Sequence, residues 1–274
     1  MRRIAHISDL HFGTEDAETV EGLLTDLLAV KPDLVVVSGD LTQRAKRHEF
    51  AAAQTFLNRV PFRQLVVPGN HDIPLYDVGR RFLRPLHRYR RYITSDLAPT
   101  FIDNEIAVLG INTARSATWK NGRISLEQIR GVKTSLCSKN ASLFRIVVTH
   151  HPFLPPPTGV PPDLVGRGPL ALQTMEACAV DLLLAGHLHV VYSGDVRTYD
   201  LAVKRSILVA QAGTAVSHRR RGEPNAYNLI DIDGRASRVT IGVRVWSGGI
   251  FQTGVTTRYA KAGLEWKELE SEIA

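Results

Sequence analysis

Two short apolar runs, at residues 34–37 and 65–67, constrain this chain more than any other feature. Each run is rich in valine, ends near a glycine, and is followed at once by polar residues, which include Asp40, Asn70 and His71. Continuous apolar runs of this length are typical of buried parallel strands, whose carboxyl ends carry function in open α/β sheets. The sequence therefore predicts that a carboxylate, an amide and an imidazole meet in one crevice.

Strands and helices alternate through the first 190 residues. Apolar runs predict strands at 4–8, 34–37, 65–67, 106–111, 145–149 and 181–185. Helical spacing of apolar residues predicts helices at 17–30, 47–59, 125–138 and 170–179. Alternation of this kind implies right-handed crossovers and a parallel sheet.

The pattern changes after about residue 191. Segments 206–211, 227–232, 238–244 and 249–256 read as antiparallel strands joined by short turns. We expect one domain over 1–274, with a metal-binding α/β core at 1–190 and, at 191–274, a second sheet that packs on the first. The fold class is α/β, a layered α/β sandwich of two mixed β-sheets flanked by helices.

The formal charge of +7 favours anionic ligands, and many of the basic residues are concentrated in two segments. Six arginines and His87 lie between residues 80 and 91, and three more arginines lie at 219–221. The segment 80–92 reads as a basic, partly helical insertion beside the crevice. Two interpretations stay open, a solvated helix and an anion-binding element.

The compartment is expected to be the cytoplasm. No apolar run approaches the roughly 20 residues that span a bilayer, and the first strand begins at Ile4 without a signal-peptide pattern. Cys137 and Cys178 are the only cysteines. In a reducing compartment we expect two buried free thiols rather than a disulfide.

A set of polar residues follows the apolar runs throughout the core. Its members are Asp9, His11, Asp40, Asn70, His71, His150, His187 and His189. Asp9 with His11, and His187 with His189, are spaced i to i+2, which in extended backbone places both side chains on one side. Two such pairs facing one crevice suit two metal ions.

These residues stand in five ordered blocks that resemble the calcineurin-like metallophosphoesterase superfamily. The blocks are Asp9-Leu10-His11, Gly39-Asp40, Gly69-Asn70-His71-Asp72, His150 and Gly186-His187-Leu188-His189. Within the superfamily the chain most resembles the class III cyclic nucleotide phosphodiesterase group. The resemblance covers positions 9 to 189 and implies the calcineurin-like phosphoesterase fold.

The resemblance also implies which residues hold metal. Asp9, His11 and His189 would hold one ion, Asn70, His150 and His187 the other, and Asp40 would bridge both. The cofactors would be two divalent or mixed-valence ions, and carboxylate and imidazole ligands suit manganese, iron or zinc. The implied reaction is in-line attack of a metal-bridging hydroxide on a phosphodiester.

The resemblance gives His71 a role on the substrate rather than on a metal. We expect it to stabilise a phosphoryl oxygen or to protonate the leaving alkoxide, with Asp72 orienting its ring. His71 and Asp40 are thus the predicted catalytic residues.

Four further residues are predicted to contact substrate. Arg44 follows Asp40 by four positions, and Asn112 follows a strand. His151 is adjacent to a predicted ligand, and His218 precedes the arginines at 219–221 in a loop that could cover the site. Each of the four has an equally simple structural interpretation.

The leading functional hypothesis is a phosphodiesterase for small diesters such as 3',5'-cyclic nucleotides. The alternatives are a UDP-diacylglucosamine-type pyrophosphatase, a nuclease, and a binding scaffold that has lost catalysis. His71 argues against the pyrophosphatase group, which commonly has arginine there, and the complete ligand set argues against the scaffold. A small-molecule diester is the expected partner. Nucleic acid is disfavoured because no added basic and aromatic platform is present, while peripheral membrane contact and a homo-oligomer stay open.

Overall fold

The structure is a computed structural model that describes residues 1–118, 120–139, 142–156, 164–198, 203–234 and 237–273. In these described ranges, two β-sheets of seven and six strands lie face to face with helices on their outer sides. The expected layered α/β sandwich of two mixed sheets is confirmed.

The seven-stranded sheet joins the start of the chain to its end. Its strands are β1 (Arg2–Ile7), β2 (Leu34–Val37), β3 (Gln64–Val66), β10 (Ala226–Asp233), β11 (Arg238–Ser247), β12 (Ile250–Ala262) and β13 (Glu265–Ile273). The order is β13-β12-β11-β10-β1-β2-β3. β1, β2 and β3 are parallel, whereas β10 pairs antiparallel with β1 and begins an antiparallel meander.

The six-stranded sheet comes from the middle of the chain. Its strands are β4 (Thr100–Ile102), β5 (Ile106–Gly110), β6 (Phe144–Val148), β7 (Leu182–Ala185), β8 (Tyr192–Asp195) and β9 (Leu208–Gln211). The order is β4-β5-β6-β7-β9-β8, in which β5, β6, β7 and β9 are parallel.

Six α-helices connect the strands in the described part of the chain. They are α1 (Ala17–Val30), α2 (Arg47–Arg59), α3 (Val78–Leu83), α4 (His87–Tyr92), α5 (Leu126–Val132) and α6 (Gly168–Ala177), and a π-helical turn, Lys133–Cys137, follows α5. The predicted cap at Ser125 is confirmed, since its side chain accepts from the backbone N–H of Gln128.

Strand side chains alternate between two kinds of core. In β2, Val35 and Val37 pack towards α1 and α2, while Leu34 and Val36 pack between the sheets. All four side chains are fully buried. Burial on both faces explains why the core strands read as continuous apolar runs in the sequence.

The expected sheet assignment of residues 191–274 is wrong. Those residues do not form a sheet of their own, because β10 pairs with the free edge of β1 and extends the first sheet. β9, from the same stretch, instead pairs parallel with β7. The physical reason is that the chain leaves the first sheet after β3, so that both sheets have edges still open when the late strands arrive.

The expectation of two free thiols is also wrong. Cys137, at the end of the π-helical turn, and Cys178, just after α6, form a disulfide with their Cα atoms 4.3 Å apart. The two helix ends pack beside each other over the second sheet, so residues 41 positions apart in sequence come into contact.

Among the described residues, no helix has both the length and the apolar composition needed to cross a bilayer.

The disulfide generates a stability prediction. Closing a loop across a sequence separation of 41 removes unfolded-state entropy worth about 3 to 4 kcal/mol. The C137S/C178S variant should therefore unfold at a lower temperature than the parent, as measured by calorimetry under non-reducing conditions. Thiol titration of the unreduced, denatured parent should find no free thiol, and detection of two would contradict the pairing.

Candidate metal centre

The loops after five parallel strands meet at one edge of the sandwich. Asp9 and His11 follow β1, Asp40 follows β2, and Asn70 with His71 follows β3. The second sheet contributes from the same edge, with His150 after β6 and the pair His187 and His189 after β7. The structure thus brings together all seven predicted metal ligands.

Five of these residues have left-handed backbone. The φ angles are 53° at Asp9, 46° at His11, 50° at Asp40, 76° at His187 and 59° at His189. Such conformations are costly outside glycine and concentrate at functional sites. The i to i+2 pairs therefore converge through tight left-handed turns, not through the extended backbone that the sequence argument assumed.

Asp9, His11 and His189 form the first ligand group. Asp9 Oδ1 lies 3.6 Å from His11 Nε2 and 3.5 Å from His189 Nε2. The rings of His11 and His189 are stacked with centroids 5.1 Å apart. All three side chains are buried, so their polar atoms face one another rather than solvent.

Hydrogen bonds from outside the group hold Asp9 and His189 in place. Asp9 Oδ2 accepts from Ser8 Oγ at 2.7 Å and from the His187 backbone N–H at 2.9 Å, which leaves Oδ1 to face the group. His189 Nδ1 is 2.6 Å from Thr214 Oγ1, which turns Nε2 inward. Contacts of this kind orient metal ligands in proteins.

Asn70, His150 and His187 form the second group of predicted ligands. Asn70 Oδ1 lies 3.1 Å from His150 Nε2 and 3.1 Å from His187 Nδ1. His150 Nδ1 donates to the Ser38 carbonyl at 2.8 Å, so Nε2 is the atom presented to the group.

Asp40 lies between the two groups. Its Oδ1 is 3.3 Å from His150 Nε2, and its Oδ2 is 3.7 Å from His11 Nε2. The carboxylate is 1% exposed, and Oδ1 also accepts from the His71 backbone N–H at 2.8 Å. One oxygen thus faces each group.

The residues present fit two metal ions. Ligand atoms about 2.1 Å from one ion lie about 3.0 to 3.4 Å apart, close to the separations between the facing atoms here. Asp9 Oδ1 and both ring nitrogens of His11 are buried without a hydrogen-bond partner. Unpartnered buried donors and acceptors are costly, and coordination would satisfy them.

The buried charges shift the acidities of the ligands. Burial acts to raise the pKa of Asp40, but the nearby imidazoles of His150 and His71 hold it well below its usual range. Burial acts to lower the pKa of His150, yet the Asp40 carboxylate raises it to about 9. Burial and the charge of His150 lower the pKa of His187 to about 3. Asp40 is therefore anionic and His187 neutral, as metal binding requires, whereas His150 would have to release a proton when a metal binds.

His71 lies beside the first group, and one of its ring nitrogens already makes a hydrogen bond. Its Nδ1 donates to the Gln43 carbonyl at 2.8 Å, and its ring meets His11 edge-on with centroids 4.9 Å apart. Burial lowers the pKa of His71 to about 4, and the neighbouring Arg219 acts in the same direction. The ring is therefore neutral near pH 7, and Nε2 carries its lone pair.

The expected contact between Asp72 and the His71 ring is absent among the described residues. The Asp72 carboxylate instead accepts backbone N–H groups of Gly69, Leu41 and Thr42 at 2.9 to 3.3 Å. It ties the loop after β2 to the loop after β3. The Gln43 carbonyl orients His71 in its place.

Of the four residues predicted to contact substrate, two border the site and two lie further out. His151 is buried against the second group, with its ring centroid 4.7 Å from that of His187 and its Nδ1 2.8 Å from Thr113 Oγ1. Asn112 is buried beside it, and its Oδ1 accepts from the Ala114 backbone N–H at 2.9 Å. Both border the site, and their substrate role remains a prediction.

The other two predicted contacts lie further out. The guanidinium of Arg44 packs on the ring of Tyr76, 5.6 Å from its centroid. The His218 side chain is 64% exposed and lies 3.5 Å from Asp16 at the start of α1, so the expectation that it covers the site is not supported. Its neighbour Arg219 reaches inward instead.

Arg219 is the site residue that sequence reasoning did not single out. Its Nη1 lies 3.2 Å from His71 Nδ1 and 3.2 Å from Gln43 Oε1. The only sequence signal was the run of three arginines at 219–221, which does not say which one turns inward.

Two glycines allow the loops to approach this closely. A Cβ on Gly69 would overlap the Asp40 carboxylate, and a Cβ on Gly186 would overlap Ser8 and Asp9. The glycines in the sequence blocks are therefore required by the space around the ligands.

Comparisons with known proteins agree with this geometry. A family model described as calcineurin-like phosphoesterase matches residues 2–191. A Pseudoalteromonas protein named probable cyclic nucleotide phosphodiesterase is 24% identical over 258 residues, covering 87% of this chain and 91% of the relative. A glycerophosphodiester phosphodiesterase of Enterobacter lignolyticus is 30% identical over 146 residues, covering 44% of this chain and 51% of the relative.

Solved structures share the fold at low sequence identity. A dimetal phosphatase from Danio rerio is 13% identical with a TM-score of 0.65, covering 92% of this chain and 98% of that one. A purple acid phosphatase from yellow lupin is 14% identical with a TM-score of 0.67, covering 92% and 52%. With the family model matching well over half of the sequence, this chain belongs to the calcineurin-like phosphoesterase family and is a metal-dependent phosphoester hydrolase.

Proposed function

We propose that this protein hydrolyses small phosphodiesters at a centre of two metal ions. The observation that carries the proposal is the position of Asp40, whose two carboxylate oxygens each face a separate group of ligand atoms. Paired ions that share a carboxylate suit phosphoryl transfer, because two positive charges can grip one phosphate.

Asp9, His11 and His189 would hold one ion, Asn70, His150 and His187 the other, and Asp40 both. When bound, the ions would supply an ionised water near neutral pH and would neutralise charge on the phosphoryl oxygens. Manganese, iron and zinc match the mixed carboxylate and imidazole set.

His71 and Arg219 would act on the substrate. The Gln43 carbonyl fixes the His71 ring, and Nε2 is the nitrogen left to meet a phosphoryl or leaving-group oxygen. Arg219 adds a half-buried positive charge next to that ring. An arriving phosphate anion would favour protonated His71, which would then donate a hydrogen bond or a proton to the leaving oxygen.

The diester preference is supported by the names of two relatives, a probable cyclic nucleotide phosphodiesterase and a glycerophosphodiester phosphodiesterase. The first aligns with 87% of this chain, which makes 3',5'-cyclic nucleotides the first substrates to examine.

The first prediction concerns substrate class. Manganese-reconstituted protein should hydrolyse bis(p-nitrophenyl) phosphate and cyclic AMP much faster than p-nitrophenyl phosphate, as followed by nitrophenol release and chromatography. Asp40→Ala should lose both activities, because it removes the carboxylate that faces both ligand groups. A monoester turned over faster than both diesters would contradict the proposal, and turnover of the aryl diester alone would keep the chemistry but exclude cyclic nucleotides.

The second prediction concerns metal content. Elemental analysis after reconstitution should find about two ions per chain in the parent and fewer in Asp9→Ala and His150→Ala, since each loses a ligand atom. His218→Gln is the matched control, because that histidine is exposed and pairs with Asp16. A full complement of metal in both ligand variants would refute the assignment.

The third prediction separates the two roles of His71. His71→Ala should keep its metal but lose about 100-fold or more in kcat, the usual worth of a general acid. If His71 protonates the leaving group, the loss should be larger for cyclic AMP, whose leaving alkoxide is strongly basic, than for the aryl diester. Equal losses on the two substrates would assign His71 to the phosphoryl oxygen instead.

A further inference from the structure

The segment 76–91, here named the rim surface, exposes an unusual concentration of large apolar side chains. Tyr76 is 74% exposed, Val78 64%, Phe82 59% and Leu83 83%. In the described parts of the chain, no other stretch of eight residues has more than two exposed large apolar side chains. Single exposed apolar residues are ordinary, but a contiguous group marks an interaction surface.

The rim surface also carries cations without counter-charges. Arg80 pairs with Asp77 at 3.0 Å. For Arg84, Arg90 and Arg91, the described residues provide no carboxylate within ion-pair distance. The rim surface therefore combines exposed apolar side chains with three cations that have no carboxylate partner among the described residues.

Buried contacts hold the rim surface in position. Arg81 is 3% exposed and donates to the carbonyls of Ser116 at 2.8 Å and Pro74 at 3.1 Å. The hydroxyl of Tyr89, fully buried, donates to the Val66 carbonyl at 3.0 Å. The exposed side chains thus project from an anchored platform.

A cleft of about 630 Å³ lies beside the rim surface and is lined by Leu83, Arg84, His87 and Arg90. Ile73 and Asn112 line the same cleft. Ile73 follows His71 by two residues, and Asn112 follows β5, which pairs with the strand that ends before His150. The cleft beside the rim surface thus includes Asn112, one of the predicted substrate contacts, and Ile73, which is near His71 in the sequence.

We propose that the rim surface binds lipid bilayers that carry anionic headgroups. Tyrosine, phenylalanine and leucine side chains partition into the interfacial region of a bilayer, and nearby arginines are attracted to anionic lipids. Charge complementarity selects this occupant over a second copy of the chain, which would bring the same unpaired arginines and a net charge of +7. Docking does not depend on catalysis.

One consequence does rest on the proposed function. A docked enzyme would hold the crevice against phosphodiester headgroups at the membrane surface, so lipid diesters would join the accessible substrates.

The test is sedimentation of the full-length protein with vesicles of phosphatidylcholine alone and of phosphatidylcholine with 30% phosphatidylglycerol, at low and at 0.5 M salt. The parent should bind the anionic vesicles at least tenfold more tightly than the neutral ones, and salt should weaken this binding. V78S/F82S should lose at least fivefold in affinity through the apolar contacts, and R84E/R90E should lose at least as much through charge.

R130E/K133E is the matched control, because it reverses two exposed cations on and just after α5, away from the rim surface. It should bind as the parent does, with an unchanged melting temperature. Asp40→Ala should also bind as the parent does, which keeps failure of docking distinct from failure of the proposed hydrolysis.

Three results would overturn the proposal. One is absence of binding to anionic vesicles, and another is equal loss of affinity in the control and in the rim variants. The third is a dimer of the parent, seen by sedimentation velocity without lipid, that V78S/F82S dissociates, because the apolar side chains would then serve contact between copies.

Discussion

Burial of two carboxylates among imidazoles is the constraint on which the rest of this structure depends. Asp9 and Asp40 are at most 1% exposed, so their charge needs compensation inside the protein. Within the chain, part of this compensation comes from His150, whose pKa the Asp40 carboxylate raises to about 9. Bound cations would neutralise the same carboxylates more completely. The side chains of the centre thus supply only part of the positive charge that its two buried carboxylates need.

The fold meets this requirement because the parallel strands of both sheets end at the same edge of the sandwich. β1, β2 and β3 deliver the carboxylates and Asn70, and β6 and β7 deliver three histidines from the other sheet. Direct hydrogen bonds cross between the layers, from His150 to the Ser38 carbonyl and from the His187 backbone to Asp9. The ligand groups are therefore held by both sheets at once, and neither sheet could form the centre alone.

The sequence was enough to predict individual helices and strands, and to predict which residues come together at the centre. Helices α1 and α2 and strand β2 begin and end where their apolar periodicity predicted, and the ligand blocks all converge. It did not suffice for the sheet to which β10 belongs, because strand pairing is decided by open edges distant in sequence. The disulfide and the inward turn of Arg219 were missed for the same reason, since both depend on which loops become neighbours.

The tight fit of glycines against ligands has a consequence for how such an enzyme can diversify. A larger residue in place of Gly69 or Gly186 would push on Asp40, or on Ser8 and Asp9, and so would displace predicted ligands. The rim surface, at 76–91, contains none of the predicted ligands and neither of these glycines. If it docks on membranes as proposed, changes in that segment would alter where the enzyme works without moving the groups that carry out hydrolysis.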